Sequence, residues 1–369
     1  MPMLPNTVQG MLLTVLMSAA GGPAFAAGAA TECDTLAASA VIADAPRAVT
    51  SCETAAKESP DQPRYAYQLG RAYQAAGRSE EAAAQFRNAA DAKYPPAMTA
   101  LGLAFRDGAG VEKDSCTALT ILKTAADLGD TEAMDALGGL FEADDGVEPD
   151  EKQAIHWYRQ AAERGNAAAM SHLALALNSL DDGTDHRPEA FEWHRKAADA
   201  GQSASMVELG FAYEHGEGLP QNITEAVKWY QRAADLGDPE GLNNIGAMYN
   251  QGTGVTQDYA KALHYYQLAM EKHQTLAYLN AAYLYGEGQG VAMNGAKAAD
   301  LFLTALKGGE QGALDEILEP SIDWPSAFYA AVQKGLKDAG FYSGAVTGKP
   351  NPALAAAARA AFGSDIAGE

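Results

Sequence analysis

Positive charge is scarce in this sequence of 369 residues, which has 26 lysines and arginines against 48 aspartates and glutamates. The formal net charge of -22 repels phosphate backbones and anionic lipid headgroups, so we do not expect the protein to bind nucleic acid. Apolar runs long enough to span a bilayer are also missing, because the run at residues 11–20 is too short. The mature chain is therefore expected to have no membrane span.

Catalytic and metal-binding motifs are missing as well. The seven histidines form no His-Glu-x-x-His motif, and no G-x-S-x-G segment or Cys/His nucleophile arrangement occurs. Recurrent G-x-G segments follow no predicted strand and precede no Lys-Ser/Thr pair, which argues against phosphate loops. Acidic loops at residues 144–146 and 181–185 leave calcium binding open as an alternative to solvated surface charge. We expect no enzyme activity and no cofactor.

Residues 1–26 have most features of a signal peptide. The apolar run leads to Ala24, Phe25 and Ala26, an A-x-A end suited to signal peptidase, although no lysine or arginine precedes the run. We expect export, with the mature chain beginning near Ala27 and residing in the bacterial periplasm or outside the cell.

Cysteine is limited to Cys33, Cys52 and Cys116. An exported protein is expected to pair cysteines, and Cys33 and Cys52 flank a short segment predicted to be helical at both ends. Their disulfide would join the first helix hairpin and contribute about 3 kcal/mol in the chain-entropy model. The alternative is three free thiols. Cys116 follows a predicted helix start and is expected to be a small buried residue.

An interval of 36 residues organises most of the chain. A fixed period of this size predicts an all-α solenoid of stacked helix pairs with a local, repetitive core. Three positions of the repeat show the interval directly: Met98, Met134, Met170, Met206, Leu242 and Tyr278; Trp157, Trp193, Trp229, Tyr265 and Leu301; and Gly129, Gly165, Gly201, Gly237 and Gly309, with His273 in the one odd slot.

Residues 205–238 form the most complete copy. Gly216 is predicted to end its first helix in a left-handed cap, and Asn222 to cap its second helix. Asn222 and Glu225 approximate a capping box. Trp229 and Tyr230, followed by small residues, predict interdigitated packing between neighbouring helices.

The motif G-x-G-V-x-x-D-x-x-x-A-x-x-W-Y-x-x-A-A-x-x-G resembles the Sel1-like repeat, a relative of the tetratricopeptide repeat. Residues 97–309 match six copies, with first helices beginning at Ala97, Ala133, Ala169, Ser205, Gly241 and Ala277. The resemblance implies a right-handed α-solenoid acting as a scaffold without chemistry of its own. Exported bacterial members are similar to regulators that dock on envelope proteins, including membrane sensors. The third copy departs from the motif at Ala174 and at residues 181–188, so its loop should be the least regular.

In the repeat family the first helices line the concave face. Residues offset from the Leu-Gly core of these helices are therefore predicted to form a polar and aromatic surface that recognises a protein partner. They are Asn178, Val207, Phe211, His215, Asn243, Asn250, Gln251 and Tyr283.

The end of the chain changes character. Residues 326–369 resemble a small helical peptidoglycan-binding domain, with departures at Thr347 and at residues 350–352. The resemblance implies a glycan partner and places the family motif at Gln333, Leu336, Gly340, Tyr342, Gly344 and Gly348.

The predicted organisation follows from these segments. It comprises a signal peptide (1–26), a cap hairpin (27–63), a tetratricopeptide-like unit (64–96), six Sel1-like repeats (97–309), a cap helix (310–319), a linker (320–325) and the peptidoglycan-binding-like domain (326–369). We expect a periplasmic interaction scaffold or envelope regulator tethered to peptidoglycan. The alternatives are a wall-binding structural protein and an accessory subunit of a wall enzyme.

Overall fold

A computed structural model describes residues 23–37, 39, 41–144 and 146–366, with side chains from Gly28 to Phe362. All regular structure in these residues is helical, in nineteen helices, and the chain divides into unit 1 (1–150) and unit 2 (151–369). None of the helices described is long and apolar enough to cross a membrane. The predicted signal peptide lies outside the described residues, apart from the backbone of its last four residues, which begin the first helix.

Unit 1 contains seven helices among its described residues, and each packs against the next. They are α1 (Pro23–Ala37), α2 (Ala45–Glu58), α3 (Pro63–Ala75), α4 (Ser79–Asp91), α5 (Pro95–Asp107), α6 (Ser115–Asp127) and α7 (Thr131–Glu142).

Unit 2 continues the helix pairs and adds the C-terminal helices. They are α8 (Glu151–Glu163), α9 (Ala167–Ser179), α10 (Arg187–Asp199), α11 (Ser203–His215), α12 (Ile223–Asp235), α13 (Pro239–Gln251), α14 (Tyr259–Glu271), α15 (Thr275–Glu287), α16 (Gly295–Lys307), α17 (Gln311–Leu318), α18 (Ser326–Asp338) and α19 (Pro352–Ile366).

The first helix of each repeat begins two residues before the predicted position. For example, α5 begins at Pro95 rather than Ala97, and α13 begins at Pro239 rather than Gly241. Proline is favoured in the first turn of a helix because its missing N–H has no intrahelical partner there. The predicted starts missed these residues because they were taken from the apolar pattern, which begins after the first turn.

The fourth repeat shows how the chain turns from one helix to the next. Gly216 adopts a φ of 73°, the left-handed cap that was predicted. The Asn222 side chain accepts a hydrogen bond from the backbone N–H of Glu225 at 3.2 Å, which confirms the N-cap. The reciprocal half of the predicted capping box is wrong, because the Asn222 N–H donates to the Tyr213 carbonyl at 2.8 Å and the Glu225 carboxylate binds Lys228.

The two helices of this repeat approach closely where Gly210 of α11 faces the ring of Tyr230. A Cβ added at Gly210 would lie 2.5 Å from two ring carbons, so no larger residue fits without movement of the ring. Gly246 and Tyr266 repeat this contact in the next repeat. Glycine lowers helix propensity by about 1 kcal/mol relative to alanine, and the buried aromatic contact offsets that loss.

The loop of the third repeat departs from the motif at both ends, although the second repeat shares one of these departures, since α7 also ends in extended backbone at Ala143. Helix α9 ends in extended backbone at Leu180 rather than in a left-handed glycine. His186, at the position of the N-cap, makes no side-chain hydrogen bond to the backbone of α10 and instead contacts Asp182 at 2.9 Å.

Cys33 and Cys52 form the predicted disulfide, which joins α1 to α2. Cys116 is free, but the expectation that it is buried is wrong. Ser115 takes the buried position at the start of α6, and Cys116 is exposed with its Sγ 3.8 Å from the Gly146 carbonyl oxygen.

Residues 320–325, predicted to be a linker, contain a buried anchor. Trp324 stacks on Phe328 with ring centroids 4.0 Å apart, and its indole N–H donates to Glu316 at 2.8 Å. Glu316 also accepts hydrogen bonds from the Ser321 N–H and the Tyr283 hydroxyl. The C-terminal helices therefore belong to the same hydrophobic core as the preceding repeats.

Replacing both Cys33 and Cys52 by serine should lower the free energy of unfolding of unit 1 by about 3 kcal/mol, because the unfolded chain loses its closed loop. Urea denaturation measures the loss, and Cys116→Ser is the control because its thiol is free. Equal stability of the double variant and the wild type under oxidising conditions would contradict the prediction.

Candidate protein-binding site

Asn178 and Phe211, both predicted for the concave face, line one cavity of about 220 Å³ in unit 2. It lies between α9, α10 and α11, and Glu217 of the loop after α11 completes its lining. We call this cavity the α11 groove. Its lining consists of Asn178, Arg187, Phe191, Glu208, Phe211, Ala212 and Glu217.

Phe211 is the largest apolar side chain that the repeat packing leaves uncovered in the groove. It is 43% exposed, whereas Leu209, Gly210 and Ala212 beside it are buried. The His215 ring lies 4.2 Å from the Phe211 ring, one helical turn away. Leu175, at the equivalent position one repeat earlier, is also 43% exposed. The first helices of the third and fourth repeats thus each present a large apolar side chain away from the core at this position.

The acidic side chains near the groove differ in their partners. Burial raises the pKa of Glu208, and the charge of Glu240 on α13 raises this pKa further. Burial also raises the pKa of Glu240, with a further contribution from Asp238. Arg187, the cation of the lining, holds Asp185 with N–O distances of 2.8 and 3.0 Å. Among the described residues, no ion pair neutralises Glu208 or Glu240.

Three more of the predicted residues lie at or near the surface but outside the lining of the groove. His215 is exposed, and its Nδ1 lies 3.1 Å from the Phe211 carbonyl oxygen. Gln251 is exposed and accepts a hydrogen bond from the Thr253 hydroxyl at 3.2 Å. Asn250 is half-buried, and its side-chain oxygen has no hydrogen-bond partner among the described residues.

The structure contradicts the prediction of an accessible surface at Val207 and Asn243. These residues occupy the same position in successive repeats, and they are only 4% and 3% exposed. Asn280 of the next first helix donates to Asn243 at 2.9 Å, so this position packs toward the neighbouring repeat. The side of α11 that stays open runs one residue away, through Glu208 and Phe211.

Tyr283 is also committed to the fold rather than free for a partner. Its hydroxyl donates to Glu316 at 2.8 Å, and its ring packs against Trp324 at 5.2 Å. Burial, followed by the hydrogen bond to Glu316, raises the pKa of Tyr283 to about 12.

The predicted peptidoglycan motif consists largely of residues that build the C-terminal fold. Gln333 is fully buried, and its amide oxygen accepts hydrogen bonds from the Thr347 and Gly348 N–H groups at 2.8 and 3.1 Å. Leu336 is buried, and the buried Tyr342 donates its hydroxyl to the Ala345 carbonyl. The motif glycines supply turns at Gly340 and Gly348, with φ of 85° and 69°, and at Gly344 the room that the Tyr342 ring needs.

His194 is buried and faces a serine rather than a substrate. Its Nδ1 lies 3.1 Å from the Ser205 hydroxyl, Ser205 contacts Ser171, and burial lowers the pKa of His194 to about 4. Nothing exposes this cluster to a ligand. Within the described residues no group of three or more His, Cys, Asp or Glu side chains has the arrangement of a metal site.

The Sel1 repeat family profile matches six segments of the chain, at residues 95–130, 131–166, 167–202, 203–238, 239–272 and 275–310. The chain belongs to the Sel1 repeat family. Sel1-repeat proteins are generally scaffolds for protein–protein interaction and are typically not catalytic. A comparison with curated proteins gave no match.

Solved structures with the same repeat architecture support the assignment of the fold. One is c5321, a protective antigen of uropathogenic Escherichia coli with an SLR fold, at 26% identity and a TM-score of 0.64. The match covers 87% of this Sel1-repeat chain and only 64% of the antigen. Another is a Sel1 repeat protein from Oxalobacter formigenes, at 26% identity and a TM-score of 0.57, with 65% of this chain and 96% of that chain covered.

Glu208→Gln should stabilise the protein at neutral pH. The raised pKa means that the folded state disfavours the ionised form of Glu208, so the charge lowers the free energy of unfolding when the pH is above this pKa. Glutamine carries no charge and removes this loss of stability. The gain should disappear as the pH falls below about 4, where the glutamate is neutral in both folded and unfolded states. Urea denaturation at several pH values tests this, with Glu225→Gln as a control that breaks the pair with Lys228. A gain independent of pH would contradict the assignment to charge.

Proposed function

We propose that this Sel1-repeat protein is an extracytoplasmic scaffold that binds a partner protein through the α11 groove. The observation that carries the proposal is the exposed side chain of Phe211 in a concave site. Large aromatic side chains at such positions are common anchors of protein interfaces. Leu209, Trp229 and Tyr230 of this repeat are buried in the core, whereas Phe211 is not.

The location outside the cytoplasm rests on separate features. A disulfide persists in oxidising compartments and is rare in the cytosol, and Cys33 and Cys52 form one. The signal-peptide layout of residues 1–26 supports the same location. An envelope protein, such as a membrane sensor or a wall enzyme, is therefore the class of partner that we propose.

Phe211→Ala should reduce recovery of the partner about tenfold or more, because the anchor side chain is lost while the buried core is untouched. Crosslinking in periplasmic extract, followed by quantitative mass spectrometry, measures the recovery. Leu236→Ala is the matched control, since Leu236 is 58% exposed, lies at the end of α12 and does not line the groove. Equal recovery with both variants would place the interface elsewhere.

The C-terminal region carries a second candidate function, attachment to peptidoglycan. Its loop exposes two apolar side chains, Phe341 and Val346, which the core does not use. Because Gln333, Leu336 and Tyr342 of the family motif are buried, glycan contact would fall to this exposed loop.

Combined replacement Phe341→Ala and Val346→Ser should release the full-length protein from purified sacculi, since apolar contact with the wall is lost. Sedimentation of the variant, the wild type and Phe211→Ala with sacculi provides the comparison. Sedimentation of the loop variant at the wild-type level, or no sedimentation of the wild type, would refute wall attachment by this loop.

A further inference from the structure

We propose that the α11 groove takes a lysine or arginine side chain from an extended segment of the partner, with a neighbouring apolar side chain packed on Phe211. This inference rests on the proposed function and adds the chemistry of the segment that is bound. It follows from the charges and the apolar surface of the groove taken together.

The first step concerns carboxylates without partners. Some acidic side chains in the helices of unit 2 hold cations, as Glu189 of α10 holds Arg159 and Glu225 of α12 holds Lys228. Glu208, which is half-buried and lines the groove, forms no such pair among the described residues, and neither does the exposed Glu240 on α13, whose charge raises the pKa of Glu208. An unpaired carboxylate that is partly removed from water is stabilised when a cation approaches it.

The second step concerns the cation already present. Arg187 lies in the lining, but its Nε and one terminal nitrogen bind the two carboxylate oxygens of Asp185. This pairing uses the forked face of the guanidinium and offsets its charge. The charge of Glu217 also acts on Arg187, but the lining holds two carboxylates, Glu208 and Glu217, against this one cation, so the groove keeps a net negative charge.

The third step concerns the apolar part of the site. Phe211 and Leu175 are exposed at equivalent positions of α11 and α9, and Glu208 lies one turn before Phe211. A partner segment that crosses these first helices meets an apolar side chain and a carboxylate within a short distance. The faces of aromatic rings also attract cations, which adds to the preference for lysine or arginine beside Phe211.

Selection from random peptides displayed on phage, with the full-length protein as bait, tests the inference. Selected peptides should contain lysine or arginine next to leucine, phenylalanine or methionine, and higher ionic strength should weaken their binding. For one selected peptide, fluorescence anisotropy should show about tenfold weaker binding to Glu208→Gln, which corresponds to about 1.4 kcal/mol. The matched control, Glu225→Gln on α12, should bind as the wild type does.

The outcomes separate this inference from the proposed function. Peptides that require Phe211 but bind Glu208→Gln normally would overturn the cation proposal and leave groove binding intact. Failure to select any peptide that requires Phe211 would count against both. Self-association in light scattering that Phe211→Ala abolishes would identify a second copy of this chain as the occupant and overturn the inference. Stabilisation of Glu208→Gln at neutral pH together with weaker binding would show that the fold has not simply been damaged.

Discussion

The close approach of the two helices in each repeat is the constraint on which the rest of the structure depends. Gly210 and Gly246 leave room for the rings of Tyr230 and Tyr266, and Gly102 leaves room for Leu122 in unit 1 in the same way. A helix pair exposes too much apolar surface to be stable alone, so each pair must also pack on the next. The contact between helices and the stacking of repeats therefore select the same small and large residues every 36 positions.

This constraint assigns most of the chemically suggestive residues to the fold. Trp229 and Tyr230 are buried in the core, Gly218 of the loop lies against Phe191 of the preceding repeat, and Asn222 caps its own second helix. His194 occupies the position of Tyr230 one repeat earlier, and the small Ala174 stands where Gly210 stands. The residues that remain free are those to which the period gives no packing role. Phe211, Leu175 and Glu208 are of this kind, which is why function is sought there.

Local interactions explain how much the sequence could predict. Helix content, glycine caps and the Cys33–Cys52 pair depend on short spacings, and they are confirmed. Which face of a first helix stays open depends on how the neighbouring repeat is rotated. The sequence of a single repeat does not specify that rotation. An error of one residue along a helix rotates the side chain by about 100°, and this separates the buried Asn243 from the open side of its helix. Glu208 was not predicted for the same reason, since the prediction chose Val207, one residue earlier, as the accessible side chain. The large apolar residues Leu175 and Phe211, which lie 36 residues apart and are both exposed, mark the open side of the first helices and could have indicated Glu208.

In the C-terminal region, too, the residues that carry a family resemblance are used by the fold. Residues that identify a small domain are those that its fold requires, and here Gln333, Leu336 and Tyr342 are internal. Their presence supports a fold and carries no information about the ligand. Glu316 and Trp324 also join this region to the core of the preceding repeats, so it does not hang from a flexible linker. If the exposed loop at Phe341 contacts the wall, unit 2 carries both the wall contact and the α11 groove on one continuous core. Wall attachment would then fix the groove relative to the wall, and the partner would have to reach the groove there.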